Sequence, residues 1–271
     1  MIAVTGATGN IGRPLVEILT AAGEAVTAIS RNAAELPAGA VHVEADLSDP
    51  ASLRPAFEGA ERLLLLTPGT QFDLPAIVAA AKDAGAERVV LVSSQRVGSR
   101  PEEGLGAMEA AVTESGLEWT VLRPGGFASN AYLWAEQIRA ERAVAAPFGD
   151  VGLPVVDPAD IADVAAITLR ERGHTGRRYT LTGPAPVSPR EQTAAIAAAL
   201  GEPIEFVEQT RDQALETLSR MWPAEVVEAI LKVLGSPNEA ERAVSPEIEN
   251  LTGRPARSFA DWARRNTAAF R

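Results

Sequence analysis

Three glycines near the start of the chain have a spacing that suits the binding of phosphate groups. The segment Gly6–Gly12 reads G-x-x-G-x-x-G, directly after a short aliphatic run and directly before a helical pattern. Gly6 permits a tight turn, Gly9 lets the backbone approach a pyrophosphate, and Gly12 allows close helix–strand packing. The start of the helix would direct N–H groups and a positive dipole end at the phosphates. We therefore predict a dinucleotide site, rather than a glycine turn that binds nothing, at Gly6, Thr8, Gly9, Asn10, Ile11 and Gly12.

The residues after the second predicted strand indicate which dinucleotide binds. An NAD site usually has Asp or Glu there, which binds the ribose hydroxyls. This chain instead reads Ile29-Ser30-Arg31-Asn32, with no acid. A guanidinium and a hydroxyl suit a 2′-phosphate, so Ser30 and Arg31 predict NADP(H) in preference to NAD(H). Asp46, after the third predicted strand, would either contact the adenine amino group or only start a turn.

Side chains that commonly transfer protons are scarce. The 271 residues include two histidines, two tyrosines, two lysines and no cysteine. The absence of cysteine excludes disulfides, thiolate metal sites and a cysteine nucleophile, and the two histidines stand far apart, so we expect no metal. A net charge of −11 argues against nucleic acid as a partner. The chain has no membrane-length apolar run and no signal-peptide pattern, so we expect a soluble, cytoplasmic protein that binds no membrane. We expect it to be a monomer or homodimer that binds a small-molecule substrate.

The elements that would position the glycine segment alternate along the first half of the chain. Strands are predicted at 1–5, 25–30, 41–44, 62–66, 89–92 and 119–122. Helices are predicted between them at 14–22, 51–57, 73–84 and 105–114. This alternation is typical of βαβ units, and right-handed crossovers between parallel strands favour a doubly wound sheet covered on both faces.

The pattern changes after residue 123. Helices are predicted at 158–170, 189–200, 213–221, 223–234 and 258–270, with strands at 178–181 and 204–207. We therefore predict an α/β fold, a Rossmann-like doubly wound parallel sheet with a small, mostly helical C-terminal cap. Residues 1–150 would form the NADP(H)-binding core. Residues 151–271 would supply the last sheet elements and a substrate-binding cap, interleaved with that core.

Several segments, in order along the chain, resemble the atypical short-chain dehydrogenases, and in particular their NmrA-like branch. They are Gly6–Gly12, Asp46, Val92–Ser94, Trp119–Gly125, Val156–Ala162 and Leu251–Pro255. That branch includes NADPH-dependent quinone oxidoreductases, triphenylmethane-dye reductases and redox-sensing regulators without enzyme activity. The resemblance implies that Thr67, Pro68, Ser93 and Ser94 border the ribose and nicotinamide, with Gly125 near the nicotinamide ring. Alternatively, Ser93 and Ser94 only form the turns that end a strand.

The chain departs from the resemblance at the proton relay. Typical short-chain dehydrogenases use Tyr-x-x-x-Lys, in which the tyrosine protonates the carbonyl. Here Glu136 follows Tyr132 by four residues and Gly183 follows Tyr179 by four. Where the family has this pair, the chain has Gly104-Leu105-Gly106-Ala107-Met108-Glu109. Relatives in this branch often carry a histidine a few residues before that glutamate. Here Leu105 is nearest to that place, so the histidine is missing too. The proton would then come from water or substrate, or from Tyr132. Asn130 would either bind a substrate oxygen or hold its own loop.

Aromatic residues suggest a substrate pocket for a flat, apolar ligand. Gln95, Phe127, Tyr132, Trp134 and Trp222 are the candidates, and the alternative for Trp134 and Trp222 is packing of the cap. The predicted function is an NADP(H)-dependent oxidoreductase that transfers hydride to a quinone-like, dye-like or iminium acceptor. The alternative is a non-catalytic NADP(H)-sensing regulatory or binding protein.

Overall fold

A computed structural model describes residues 1–32, 35–67, 69 and 72–271, and for residues 50 and 51 the backbone alone. These residues form two compact units, each built from several stretches of the chain. The first unit holds Met1–Pro124, Pro158–Leu181 and Glu247–Arg254, and the second holds Gly125–Asp157, Thr182–Pro246 and Pro255–Arg271. The functional roles predicted for the parts on either side of residue 150 stay a prediction.

The strands form two parallel sheets. In chain order they are β1 (Ile2–Thr5), β2 (Val26–Ser30), β3 (Ala40–Glu44), β4 (Arg62–Leu66), β5 (Arg88–Val92), β6 (Glu118–Pro124), β7 (Ala143–Pro147), β8 (Arg177–Leu181) and β9 (Glu205–Gln209). The first unit contains a seven-stranded sheet in the order β3-β2-β1-β4-β5-β6-β8, with every neighbouring pair parallel. In the second unit, β7 pairs with β9.

The aliphatic content of the strands explains why the large sheet is covered on both faces. All four residues of β1 are buried, as are Leu63 to Leu65 of β4, so neither strand alternates between polar and apolar positions. The strand order reverses between β1 and β4. In open α/β sheets, ligands bind beyond the carboxyl ends of the strands at such a reversal, which here is the end of β1.

Helices flank this sheet and form most of the second unit. They are α1 (Gly12–Ala21), α2 (Pro50–Phe57), α3 (Leu74–Asp83), α4 (Arg96–Ser99), α5 (Ala107–Thr113), α6 (Ala135–Glu141), α7 (Pro158–Arg170), α8 (Pro189–Leu200), α9 (Arg211–Leu218), α10 (Ala224–Gly235), α11 (Glu239–Arg242), α12 (Glu247–Thr252) and α13 (Phe259–Arg265). Short 3-10 segments lie at Pro101–Glu103, Ala128–Trp134 and Thr267–Phe270. Helices α1 and α7 pack together, as do α3 and α5. The Rossmann-like fold with a helical C-terminal region is confirmed.

The last helix and strand β7, both in the second unit, differ from the predicted elements. The final helix, predicted over 258–270, ends at Arg265, and a 3-10 turn follows it. Strand β7 was not predicted, because its sequence, Ala-Val-Ala-Ala-Pro, is poor in the β-branched and aromatic residues that favour strands. Its partner β9 corresponds to the strand predicted at 204–207. In the described part of the chain, every helix is too short or too polar to cross a lipid bilayer.

Candidate functional site

The glycine segment forms the tight turn that its spacing predicts. Gly6 has φ +62°, in the left-handed region, and its carbonyl oxygen accepts the Gly9 N–H at 3.0 Å. At Gly12, a Cβ atom would overlap the Gly6 carbonyl oxygen and lie 2.7 Å from Ala7 Cα. Helix α1 therefore begins in direct backbone contact with the turn, which only glycine permits.

The N-terminus of α1 is open to an anion. Its cap residue, Ile11, makes no side-chain hydrogen bond to the helix, and the first turn contains no acidic residue. Thr8, Gly9 and Asn10 are exposed beside it. The first turn instead holds Arg13, whose Nε lies 3.5 Å from Glu17 Oε1. A cation is unfavourable for the helix dipole at this end unless an anion lies nearby.

A side chain bridges the ends of β1 and β4 at the reversal of strand order. Thr5 Oγ1 accepts the Leu66 N–H at 2.8 Å and donates to the Leu66 carbonyl oxygen at 2.9 Å. Directly after β4, Thr67 Oγ1 donates to the Gly69 carbonyl oxygen at 2.9 Å. Pro68, also predicted to contact the cofactor, lies outside the described residues.

The residues predicted to select NADP(H) lie at the ends of β2 and β3. Arg31 is exposed, and Ser30 Oγ donates to the Asn32 carbonyl oxygen at 2.8 Å and lies 2.9 Å from His42 Nε2. Asp46 Oδ1 accepts the Ser48 N–H at 2.8 Å, as a residue that starts a turn does. That bond with Ser48, together with the charge of Arg31, lowers the pKa of Asp46. Cofactor contact by Ser30, Arg31 and Asp46 stays a prediction.

The segment after β5 continues to pair with β6. The Ser93 N–H donates to the Leu122 carbonyl oxygen at 2.8 Å and the Gln95 N–H to the Pro124 carbonyl oxygen at 2.9 Å. Ser94 Oγ accepts the Arg96 N–H at 3.2 Å. Ser93 and Ser94 therefore stand on a fixed backbone at the carboxyl edge of the sheet. This placement satisfies the general rule for ligand contact in such folds.

A buried carboxylate next to Ser93 was not predicted. Glu109, on α5, is 4% exposed and receives Ser93 Oγ–H at 2.9 Å, a fork of two bonds from Arg123 at 2.8 Å each, and Arg178 Nε at 3.0 Å. Burial alone would raise the pKa of Glu109, but the hydrogen bonds from Arg123, Arg178 and Ser93 hold it below its ordinary value. We call these four residues the Glu109 cluster.

In the second unit, Tyr132 belongs to an aromatic core. Its ring centroid lies 5.1 Å from that of Trp262 and 6.1 Å from that of Phe270, and its hydroxyl donates to Asn266 Oδ1 at 2.5 Å. Burial and the charge of Asp157 raise the pKa of Tyr132. The hydroxyl is thus held by a neighbour and is a poorer acid than an exposed tyrosine.

The other predicted substrate-site residues of this unit are spread over several places. Trp134 packs against the same core as Tyr132, whereas Trp222 packs against Val227 and Leu231 of α10. Phe127 pairs with Val156 through its backbone, and Asn130 is exposed. Gly125, which was predicted to bind the cofactor, is half-buried. Among the residues that the structure describes, no group of three or more suitable side chains could hold a metal ion.

Comparisons with known proteins agree with this architecture. Residues 6–172 match the model of the NAD(P)H-binding family. The chain is 37% identical over 280 positions to a (4-alkanoyl-5-oxo-2,5-dihydrofuran-3-yl)methyl phosphate reductase of Streptomyces griseus, covering 100% of this chain and 99% of that protein. It is 34% identical over 285 positions to an NAD(P)H azoreductase of Xenophilus azovorans, with the same coverage.

Solved structures give the same result. The structure of an NADPH-dependent quinone oxidoreductase from Escherichia coli in complex with NADPH superposes with a TM-score of 0.80 and 25% identity, covering 98% of this chain and 99% of that one. All three proteins are oxidoreductases by name, and the names of the azoreductase and the quinone oxidoreductase include NAD(P)H and NADPH. The resemblance to the quinone oxidoreductases of the NmrA-like branch is confirmed.

Proposed function

The chain belongs to the NAD(P)H-binding family, and from this membership we propose that it is an NADP(H)-dependent oxidoreductase that transfers hydride to a flat, apolar, electrophilic acceptor. The observation that carries the proposal is the turn from Gly6 to Gly12, where backbone contact and an uncapped helix start leave room and charge for a pyrophosphate. The two relatives that are 37% and 34% identical over the whole chain are reductases, which supports catalysis rather than sensing.

The residues present fit a dinucleotide. Gly6, Gly9 and the first turn of α1 would hold the pyrophosphate, and Ser93 and Ser94 would lie beside the nicotinamide half at the carboxyl ends of the strands. NADPH, when bound, supplies the hydride. The chain's own part is to bind and orient the two reactants and to exclude water.

The preference for NADP(H) rests on Arg31, which is exposed at the end of β2, with no acid following that strand. A charge-assisted bond to a phosphate contributes about 1.5–3 kcal/mol, so Arg31→Ala should weaken NADPH binding roughly 10- to 100-fold and leave NADH binding unchanged. Fluorescence titration measures both. Arg172→Ala, another exposed arginine, is the matched control. Tighter binding of NADH than of NADPH to the unaltered protein would contradict the preference.

The absence of a Tyr-x-x-x-Lys pair supports an acceptor that needs no acid from the protein. Tyr132, the nearest substitute, donates its hydroxyl to Asn266. Cationic dyes and iminium ions accept hydride to give a neutral molecule. Quinones and azo compounds give a stabilised anion, which water then protonates. A general acid is typically worth about 10²- to 10⁴-fold, so simple ketones should react that much more slowly.

The test is NADPH consumption with a panel that contains a quinone, an azo dye, a triphenylmethane dye, an unsaturated lactone and a simple ketone. Consumption with one of the first four, and a much lower rate with the ketone, is the expected result. NADPH binding without consumption of any acceptor would refute the enzymatic proposal. That outcome would favour an NADP(H)-sensing protein.

A further inference from the structure

Ser93 lies just beyond the carboxyl end of β5, where ligands bind in open α/β sheets, and its hydroxyl donates to Glu109. We propose that Ser93 accepts a hydrogen bond from the bound dinucleotide, and that Glu109 is the positioning residue that prevents Ser93 from donating one. The inference rests on the proposed function, because it requires that the dinucleotide bind at the carboxyl ends of β5 and β6.

The geometry assigns the proton. A serine hydroxyl has one hydrogen and two acceptor lone pairs, whereas an ionised carboxylate only accepts. Ser93 Oγ lies 2.9 Å from Glu109 Oε1, so the hydrogen between them belongs to Ser93 and points at Glu109. The same serine is held by its backbone, since its N–H donates to the Leu122 carbonyl oxygen at 2.8 Å.

Glu109 is kept in its ionised, accepting form by its surroundings. Arg123 forms a fork, with Nε on Oε1 and Nη2 on Oε2, and Arg178 Nε adds a third bond at 3.0 Å. Together with Ser93 these donors fill the roughly four lone-pair positions of a carboxylate. Two guanidinium charges beside one buried carboxylate make protonation unfavourable.

The two arginines are themselves held in place. Arg123 Nη1 packs so closely on α4 that a Cβ atom at Gly98 would lie 2.7 Å from it. The Arg178 guanidinium lies over the Trp119 ring, 4.7 Å from its centroid. The Glu109 cluster is thus held in place from two sides. Because its two arginines can only donate, Glu109 is the acceptor in the cluster for the Ser93 proton.

Two donors of the nicotinamide half suit an acceptor-only serine, namely a ribose hydroxyl and the carboxamide N–H. A carbonyl oxygen does not suit it, because that atom needs a donor. Ser93 is therefore excluded as the group that protonates or polarises a substrate oxygen. This assigns to Ser93 a role in orienting the cofactor.

The experiment compares dissociation constants for the unaltered protein and Ser93→Ala, by fluorescence and thermal shift. The probes are NADPH, its 3-acetylpyridine analogue, which lacks the carboxamide N–H, and its thionicotinamide analogue, which has a weaker acceptor. Loss of one hydrogen bond should weaken NADPH binding roughly threefold to tenfold. Ser93→Thr, which keeps the hydroxyl, should restore it. Ser115→Ala, which removes a hydroxyl near the amino end of β6, is the control.

The analogues identify the donor. If Ser93→Ala weakens NADPH but not the acetylpyridine analogue, the donor is the carboxamide, and the proposal is supported. If it weakens all three probes equally, the partner is a ribose hydroxyl, which can donate or accept. The double-mutant cycle described next then decides: coupling between Ser93 and Glu109 supports the proposal, and additivity overturns it. Unchanged affinity in Ser93→Ala overturns it, and so does a loss confined to NADPH and the acetylpyridine analogue, because Ser93 would then donate to the carbonyl. Failure of the unaltered protein to bind NADPH would instead refute the proposed function.

A double-mutant cycle tests the role of Glu109. If Glu109 acts through Ser93, Glu109→Gln weakens NADPH binding in the unaltered background and has no further effect on that binding in Ser93→Ala, even where it lowers thermal stability. Additive effects on the dissociation constant would refute the positioning role. Glu118→Gln is the matched control, because Glu118 also receives a two-pronged bond, from Arg88 Nε and Nη2, at the amino end of β6.

Discussion

Replacement of Gly12 by alanine tests whether the glycine turn must touch the start of α1. A Cβ atom at Gly12 would lie 2.7 Å from Ala7 Cα and 2.8 Å from the Gly6 carbonyl carbon. Both distances are about 1 Å shorter than the roughly 3.5–4.0 Å of a relaxed carbon–carbon contact. Because both neighbours are backbone atoms, no side-chain rotation relieves the overlap. Helix α1 itself must move.

Displacement of α1 disturbs a packed interface, since Leu15, Val16 and Leu19 are fully buried on its inner face. Overpacking costs about 1–3 kcal/mol, and overlap with backbone lies at the upper end of that range. We therefore expect Gly12→Ala to lower the free energy of unfolding by about 3 kcal/mol, against about 5–15 kcal/mol for an ordinary domain. The variant should still fold, and it should bind NADPH at least roughly tenfold more weakly, a change of about 1.4 kcal/mol.

Urea unfolding followed by circular dichroism measures the stability, and fluorescence titration measures NADPH binding. The control is Gly106→Ala, since Gly106 has φ −64° and a Cβ atom there meets no heavy atom within 4 Å. Its stability should change by less than about 1 kcal/mol. If Gly12→Ala were as stable as Gly106→Ala and bound NADPH like the unaltered protein, the close contact would have no role in the site.

Two further predictions concern residues of the scarce proton-transferring types. Tyr132→Phe keeps the ring contacts and removes the bond to Asn266, so it should lower stability by about 1 kcal/mol and change turnover by less than about threefold; a loss of about 10²-fold or more would identify Tyr132 as the acid. Burial lowers the pKa of His174, and its Nε2 is buried without a hydrogen-bond partner. The neutral form of His174 is therefore favoured in the folded state. Its contribution to the free energy of unfolding is fully present above the unfolded-state pKa of about 6.5 and is lost as the pH falls through the lowered pKa of the folded state. In urea unfolding at pH values above and well below about 6.5, His174→Phe should lose less free energy of unfolding on acidification than the unaltered protein. An equal loss would contradict the lowered pKa of His174.

Helix boundaries could be predicted where a local signal sets them. The helix predicted at 158–170 begins and ends as expected, with proline in its first turn. Helix α8 also matches its predicted bounds, because Ser188 and Glu191 form a capping box at its start. The final helix did not match. Asn266 interrupts it by donating to the Trp262 carbonyl oxygen while accepting from Tyr132, a contact 134 residues away along the chain.

The same distinction holds for the candidate site. The glycine turn is local, so its spacing predicts its geometry. The Glu109 cluster is not local, because the partners of Glu109 lie 14 residues away at Arg123 and 69 residues away at Arg178. Only the pairing of β6 with β8 brings the two arginines to the same carboxylate. The one signal available in the sequence was Glu109 itself, an acidic residue in the otherwise largely apolar helix Ala107–Thr113.

The positions of the scarce residues limit what the protein can contribute to proton transfer. His174 and Tyr179 share a hydrogen bond of 2.9 Å near the amino end of β8, at the edge of the sheet opposite to the glycine turn. Lys82 Nζ donates to the Ser115 carbonyl oxygen at 2.7 Å, and Tyr132 donates to Asn266. His42, in the middle of β3, lies 2.9 Å from Ser30 Oγ at the end of β2, near where the adenosine half of a dinucleotide would bind. Each of these described side chains thus already has a hydrogen-bond partner, as does Ser93, which donates to Glu109. Under the proposed function, we therefore expect the rate of hydride transfer to depend on the acceptor, and acceptors that form a neutral product or a stable anion should react fastest.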